Sequence, residues 1–143
     1  MREIVPGWLW IANTRAANDI SSVLSMGVTA VIDLAIEEPV IVYPRDIIYC
    51  RLPLIDGEGN SSKRLNMVID LAATCLTDRI RLLIRCSMGM SRSPMIAAAA
   101  IARVRRIPLE EALAEVAAGA PHDISPGLWM EVEQAFQLRT PLK

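Results

Sequence analysis

The sequence predicts an α/β fold, with a central, mostly parallel sheet flanked by helices and closed by a helical C-terminal half. Three observations predict it. Residues 28–34 and 79–84 are apolar runs of the kind found in strands covered on both faces. Residues 95–102, Met-Ile-Ala-Ala-Ala-Ala-Ile-Ala, are apolar nearly all round, as a helix buried in the middle of a domain is. Between the second run and that helix lies Arg85-Cys86-Ser87-Met88-Gly89-Met90-Ser91-Arg92-Ser93-Pro94, which makes a strand–loop–helix junction.

Taken in order, residues 4–13 read as two short strands around the Pro6-Gly7 turn, with Trp8 and Trp10 as core residues. Thr14 or Asn18 caps one helix through Ile20, Val23, Leu24 and Met26, ending at Gly27. After the strand 28–34, residues 36–45 hold Glu37, Glu38, Pro39 and Pro44 and read as a surface connection. Residues 46–52 form the next strand and 53–62 a polar loop whose Ser can cap the following helix. That helix buries Leu65, Val68, Ile69, Leu71, Ala72 and Leu76. The strand 79–84, the loop and a helix from Pro94 to about Arg105 follow, Pro94 suiting a first turn where a missing N–H costs nothing. Arg103, Arg105 and Arg106 read as a solvated helix end complementing the dipole. A helix from residue 108 ends near Gly119, and Ser125-Pro126-Gly127 opens the last one, with Trp129, Val132, Phe136 and Leu138 as packing positions.

Composition narrows the class. A chain of 143 residues is expected to form one domain, residues 1–143, with a proper core. The formal charge of −1 argues against nucleic acid or an anionic membrane as partner. Arg2 and Glu3 lead straight into Pro6-Gly7, unlike a signal peptide, and the longest apolar run is too short to cross a bilayer. Three cysteines without paired spacing fit a reducing compartment, so a cytoplasmic location is expected. Cys50 and Cys75 read as core thiols, and His122, the one histidine, as a solvated turn residue.

The loop carries the chemistry. Successive N–H groups in a tight loop that opens a helix make a concave anion cradle, and the helix dipole adds positive potential there. Gly89 lets the backbone turn where a side chain would forbid it. Arg92 can offer two parallel donors to two oxygens of one phosphate. The same field favours thiolate over thiol, which makes Cys86 a nucleophile. Ser93 can donate to that sulfur and help it leave.

Cys86-Ser87-Met88-Gly89-Met90-Ser91-Arg92-Ser93 resembles the Cys-x5-Arg-Ser/Thr signature of the protein tyrosine phosphatase superfamily. Its Gly-x-Ser-Arg-Ser ending is most similar to the small dual-specificity phosphatases, and the resemblance extends over nearly the whole chain. It implies a protein tyrosine phosphatase-like fold and hydrolysis of phosphotyrosine and phosphoserine/threonine through a cysteinyl-phosphate, without metal or cofactor. Cys86, Arg92, Asp56 and Ser93 would be catalytic, and Ser87, Met88, Gly89, Met90, Ser91 and Arg92 would bind the phosphate. Asp56 stands 30 residues before Cys86, where the family keeps its general acid; read alone, the Asp56-Gly57 pair is an ordinary turn, and Glu58 is its local competitor. The expected partner is a phosphorylated protein and the expected state a monomer. Two rivals stand beside this reading. One is a phosphate-binding pseudophosphatase, since the family's usual histidine before the nucleophile is Arg85 here. The other is a rhodanese-like sulfurtransferase.

Overall fold

The computed structural model describes residues 1–118 and 120–138. Five strands form one sheet in the order β1-β2-β5-β3-β4. β1 (Arg2–Val5) and β2 (Leu9–Ala12) pair antiparallel about the Pro6-Gly7 turn. From β2 onward every pairing is parallel: β2 with β5 (Leu82–Arg85), β5 with β3 (Ala30–Ala35), and β3 with β4 (Ile48–Leu54). The central strands β2, β3 and β5 are buried along their whole length, as strands covered by helices on both faces must be.

On one face lie α3 (Ser62–Thr77), α4 (Arg92–Arg105), α5 (Leu109–Ala117) and α6 (Pro126–Leu138). α3 is capped by Ser61, whose Oγ accepts from Arg64 N at 3.1 Å. It turns Leu65, Val68, Ile69 and Ala72 into the core, each of the larger side chains contributing about 1.5–3 kcal/mol by leaving water. α4 is buried from Arg92 to Ala102; its four consecutive alanines let neighbouring helices and the sheet approach closely. The opposite face is thinner and packs Trp10, Val23, Val31, Ile41 and Leu83 beneath two short helices.

Those two helices replace the single one expected. α1 (Thr14–Asn18) is capped by Asn13, not by Thr14 or Asn18, and α2 (Ile20–Ser25) by Asp19. The Asp19 side chain accepts from Ser22 N at 3.2 Å while its own ψ of 80° leaves helical space, so the carboxylate starts a new helix rather than extending the old one. β4 begins later than expected and runs through Pro53; it is an edge strand, where a missing N–H is tolerated. β5 also starts later, because Arg79 adopts a left-handed φ of 56° just after α3. Trp10 is buried, but Trp8 is only half-buried, with the Arg79 and Arg81 guanidinia 5.8 and 5.6 Å from its ring centre. Arg103 does not end in solvent: it donates to Asp70 at 2.6 Å and Asn66 at 3.0 Å and lies over Phe136, tying α4 to α3 and α6. Leu138, expected to pack, is 73% exposed. Gly119 lies outside the described residues. Among those described, no helix is long and apolar enough to cross a membrane.

Candidate active site

Parallel strands leave a crevice beyond their carboxyl ends, and the loop from Cys86 to Ser91 sits there. It continues the β2–β5 ladder: Cys86 N donates to Ala12 O at 3.2 Å, and Thr14 N donates to Ser87 O at 2.9 Å. The loop then turns at Gly89 (φ +71°), where a Cβ would come within 3.1 Å of Asn13 N and 3.2 Å of Ala12 C. A side chain there would strain the backbone and press on the Ala12-Asn13 main chain. The turn aims Gly89 N at Cys86 Sγ, 3.2 Å away, so the sulfur sits inside its own loop.

Arg92, in the first turn of α4, points its guanidinium beneath this loop and is 3% exposed. Nη1 donates to Leu54 O at 3.0 Å and Leu34 O at 3.4 Å, which fixes the group between β3 and β4. Glu37, just past β3, grips both Nη atoms; its Oε2 lies 2.8 Å from Nη1, and its Oε1 also accepts from the Ser87 hydroxyl. The Arg92 hydrogen bonds, against some opposing desolvation, draw the Glu37 carboxyl down to about 2. For Arg92, burial is the largest influence and opposes the charge. Glu37, Cys86 and Asp56 together outweigh it and shift the group upward. Arg92 Nε is buried and has no acceptor among the described residues.

Asp56 arrives from the loop after β4. Its Oδ1 accepts from Ser91 Oγ at 2.6 Å, and Ser91 Oγ in turn accepts from Ser125 N at 3.1 Å. The loop is held from within by Asn60, which pairs with both Ile55 N (2.8 Å) and Ile55 O (2.9 Å). Glu131 on α6 holds it from outside, accepting from Gly59 N and Asn60 N at 3.0 Å each. A cavity of about 140 Å³ results, lined by Asp56, Cys86, Met88, Met90, Ser91, Arg92 and Asp123. Asp56 and Cys86, 30 residues apart in sequence, thus face one space. Glu58 does not line it and packs by Gly127 instead; His122 is exposed and does not line it either. Ser93 Oγ is buried with no partner among the described residues, so the bond to sulfur expected of it is not made in this state.

Arg85 faces away from the cavity, as its strand position requires. It is fully buried, with Nη2 on Asp33 Oδ2 at 2.8 Å and on Pro39 O at 3.0 Å, and Nη1 on Thr14 Oγ1 at 3.4 Å. Asp33 also accepts from Ala35 N and from the Tyr49 hydroxyl. Burial, then Asp33, push the Tyr49 hydroxyl up.

Glu37, Asn60, Asp123 and Glu131 are site residues that were not foreseen, and Ser91, expected at the phosphate, was not foreseen as a donor to Asp56. A sign did exist for Glu37: an acidic pair directly after a parallel strand falls at the crevice where ligands bind. Among the described residues, no group of three or more His, Cys, Asp or Glu side chains could hold a metal ion.

The profile of the family described as "Dual specificity phosphatase, catalytic domain" matches residues 9–139. Among solved structures, the chain is similar to human DUSP28, with a TM-score of 0.83 at 21% identity, covering 96% of each chain. It is similar to a mouse putative dual specificity phosphatase complexed with zinc tungstate, with a TM-score of 0.81 at 23% identity, covering 94% of this chain and 85% of that one. It is also similar to human tyrosine phosphatase-like serine/threonine/tyrosine-interacting protein, with a TM-score of 0.76 at 21% identity, covering 94% and 93%. At such identities the likeness is one of fold. No curated protein matches the chain by sequence.

Proposed function

Since the chain belongs to the dual-specificity phosphatase catalytic-domain family, we propose that it is a cysteine-dependent protein phosphatase acting on phosphotyrosine and phosphoserine/threonine. Residues 1–143 serve as one catalytic domain, working as a monomer in the cytoplasm on phosphorylated proteins. The observation that carries the reading is the shared cavity, with the Cys86 thiol, the Asp56 carboxyl and the Arg92 guanidinium converging on one small space.

The Cys86 thiolate attacks phosphorus in line, forming a P–S bond as the P–O bond to the leaving group breaks. The loop amides from Ser87 to Arg92 take the equatorial oxygens, with charge stabilisation greatest in the transition state. Glu37 holds the Nη atoms of Arg92, and the unpartnered Nε offers a donor to the phosphate. Asp56, oriented by Ser91, gives its proton to the departing alkoxide or phenoxide. It then takes a proton from water, whose oxygen attacks phosphorus and releases Cys86. Ser93, whose hydroxyl has no partner among the described residues, donates to the thiolate as it leaves. No metal or cofactor enters these steps.

The pseudophosphatase reading draws on two observations. The carboxylate of Glu37 already occupies the Arg92 Nη atoms, and Arg85 is committed to Asp33 rather than to the Cys86 loop. Steady-state hydrolysis of para-nitrophenyl phosphate, without metal and across pH, separates the two. Turnover that is abolished by Cys86→Ser and reduced by one to three orders of magnitude in Asp56→Asn supports the enzyme. A wild type as inert as Cys86→Ser that still binds tungstate supports the binding module. A sulfur-transfer activity indifferent to Asp56→Asn, in a chain that does not hydrolyse the phosphate ester, supports the rhodanese-like alternative.

A further inference from the structure

The rim of the cavity carries charge of one sign. Above Cys86 and Arg92, the lining side chains are Asp56, Met88, Met90, Ser91 and Asp123. No Lys, and no Arg besides Arg92, lines it among the described residues. Arg92 is turned to Glu37. Asp123 is exposed, yet its backbone is fixed at two points to the loop that bears the nucleophile. Its own N–H donates to Met90 O at 2.8 Å, and two residues on, Ser125 N donates to Ser91 Oγ. The main chain that carries its carboxylate is therefore held at the mouth. Met88, 72% exposed, sets an adaptable apolar side chain on the same rim.

A phosphorylated segment that delivers its phosphate to Cys86 must lay the flanking residues across this rim. An acidic neighbour or a second phosphate then meets Asp123 as a like charge, and a lysine or arginine meets it as an opposite one. Exposed pairs of this kind shift affinity by about two- to fivefold per charge and act mainly on specificity. We propose that Asp123 is a specificity-determining residue, selecting phosphorylated segments with Lys or Arg beside the phosphoresidue and disfavouring polyanionic ones. The inference rests on the phosphatase reading only in taking the Cys86 loop as the phosphate site.

Two phosphotyrosine peptides of equal length, one with lysines and one with glutamates flanking the phosphoresidue, supply the test. Their binding is followed by fluorescence anisotropy on Cys86→Ser and on Cys86→Ser/Asp123→Asn, at low salt and at about 0.5 M salt, where the Debye length is only a few ångströms. The expected result is about three- to tenfold tighter binding of the lysine peptide, a preference at least halved by Asp123→Asn and by salt. Equal affinities, or a preference that Asp123→Asn leaves intact, overturn the proposal. Wild-type turnover of para-nitrophenyl phosphate is read alongside. Turnover without peptide preference sinks this inference alone. Preference without turnover supports it and sinks the hydrolytic reading.

Discussion

Replacing Asp33 by Asn leaves the Arg85 guanidinium charged at a site with no access to water. Both side chains are fully buried and meet at 2.8 Å. The guanidinium keeps only uncharged acceptors, Pro39 O at 3.0 Å and Thr14 Oγ1 at 3.4 Å. Orphaning one member of such a pair costs about 3–5 kcal/mol, against about 5–15 kcal/mol for the whole stability of an ordinary domain. Replacing Arg85 by Met costs less, about 1–3 kcal/mol. Asp33 then retains the Ala35 N–H, the Tyr49 hydroxyl and Arg51 at 3.9 Å. The double variant Asp33→Asn/Arg85→Met should recover about 2 kcal/mol or more of the summed losses, since no charge is left stranded. Urea unfolding reads this directly: with a slope of about 2 kcal/mol/M, Asp33→Asn lowers the midpoint by about 2 M. Turnover should fall with it, because Leu34 and Cys86, the next residues along, hold Arg92 and supply the nucleophile. A midpoint shift below about 0.5 M, or strictly additive single effects, would refute the account of Arg85 as a charge held by Asp33.

Three further outcomes are expected. Ser91→Ala frees Asp56 from its 2.6 Å hydrogen bond, and should lower kcat on phenyl phosphate, whose leaving oxygen needs the proton, by about tenfold with little change in KM; a raised KM at unchanged kcat would assign Ser91 to binding. Gly89→Ala forces a Cβ against Asn13 N at a positive φ, so the closed loop is strained. Tungstate binding should weaken by about tenfold or more, and unchanged binding would show the turn to be less constrained than its geometry. The Glu37 carboxyl is depressed to about 2, so its grip on Arg92 is fully present above about 4.5 and is lost only as pH falls through about 2. Across pH 4.5–8, wild type and Glu37→Gln should show acidic limbs of the same position; a limb that disappears in Glu37→Gln would contradict this.

How much the sequence disclosed depended on distance along the chain. The strand–loop–helix around Cys86 is local: apolar runs, Gly89 and Pro94 all act within ten residues, and the parallel sheet followed from runs such as 28–34. Pairing Asp56 with the Cys86 loop required a resemblance, because an Asp-Gly pair read alone is a turn. The partners of Glu37 and Glu131 were unreadable for a different reason. Each acts as a carboxylate on groups 55 and about 71 residues away; the place of Glu37 after a parallel strand points to the crevice, but no neighbouring residue signals which group either one holds. Where one helix was expected, from a cap at Thr14 or Asn18 to Gly27, local signals compete and there are two, since Asp19 caps as readily as it continues. Pro53 likewise ends a strand by rule, and only the position of β4 at the sheet edge, a global property, lets the strand run on.

The brace from Glu131 has a kinetic meaning. The residue stands on the last helix and touches neither Cys86 nor Arg92, yet it holds the two amides that shape the acid's loop. A loosened acid hurts most where the leaving oxygen most needs a proton. For nitrophenolate, a stable anion, Glu131→Gln should matter little; for an unactivated phenol or an alkyl alcohol it should matter far more. The slope of rate against leaving-group basicity would then steepen through a change made at the opposite end of the chain. In this sense α6 sets which phosphate esters, by the basicity of their alcohols, lie within the domain's reach.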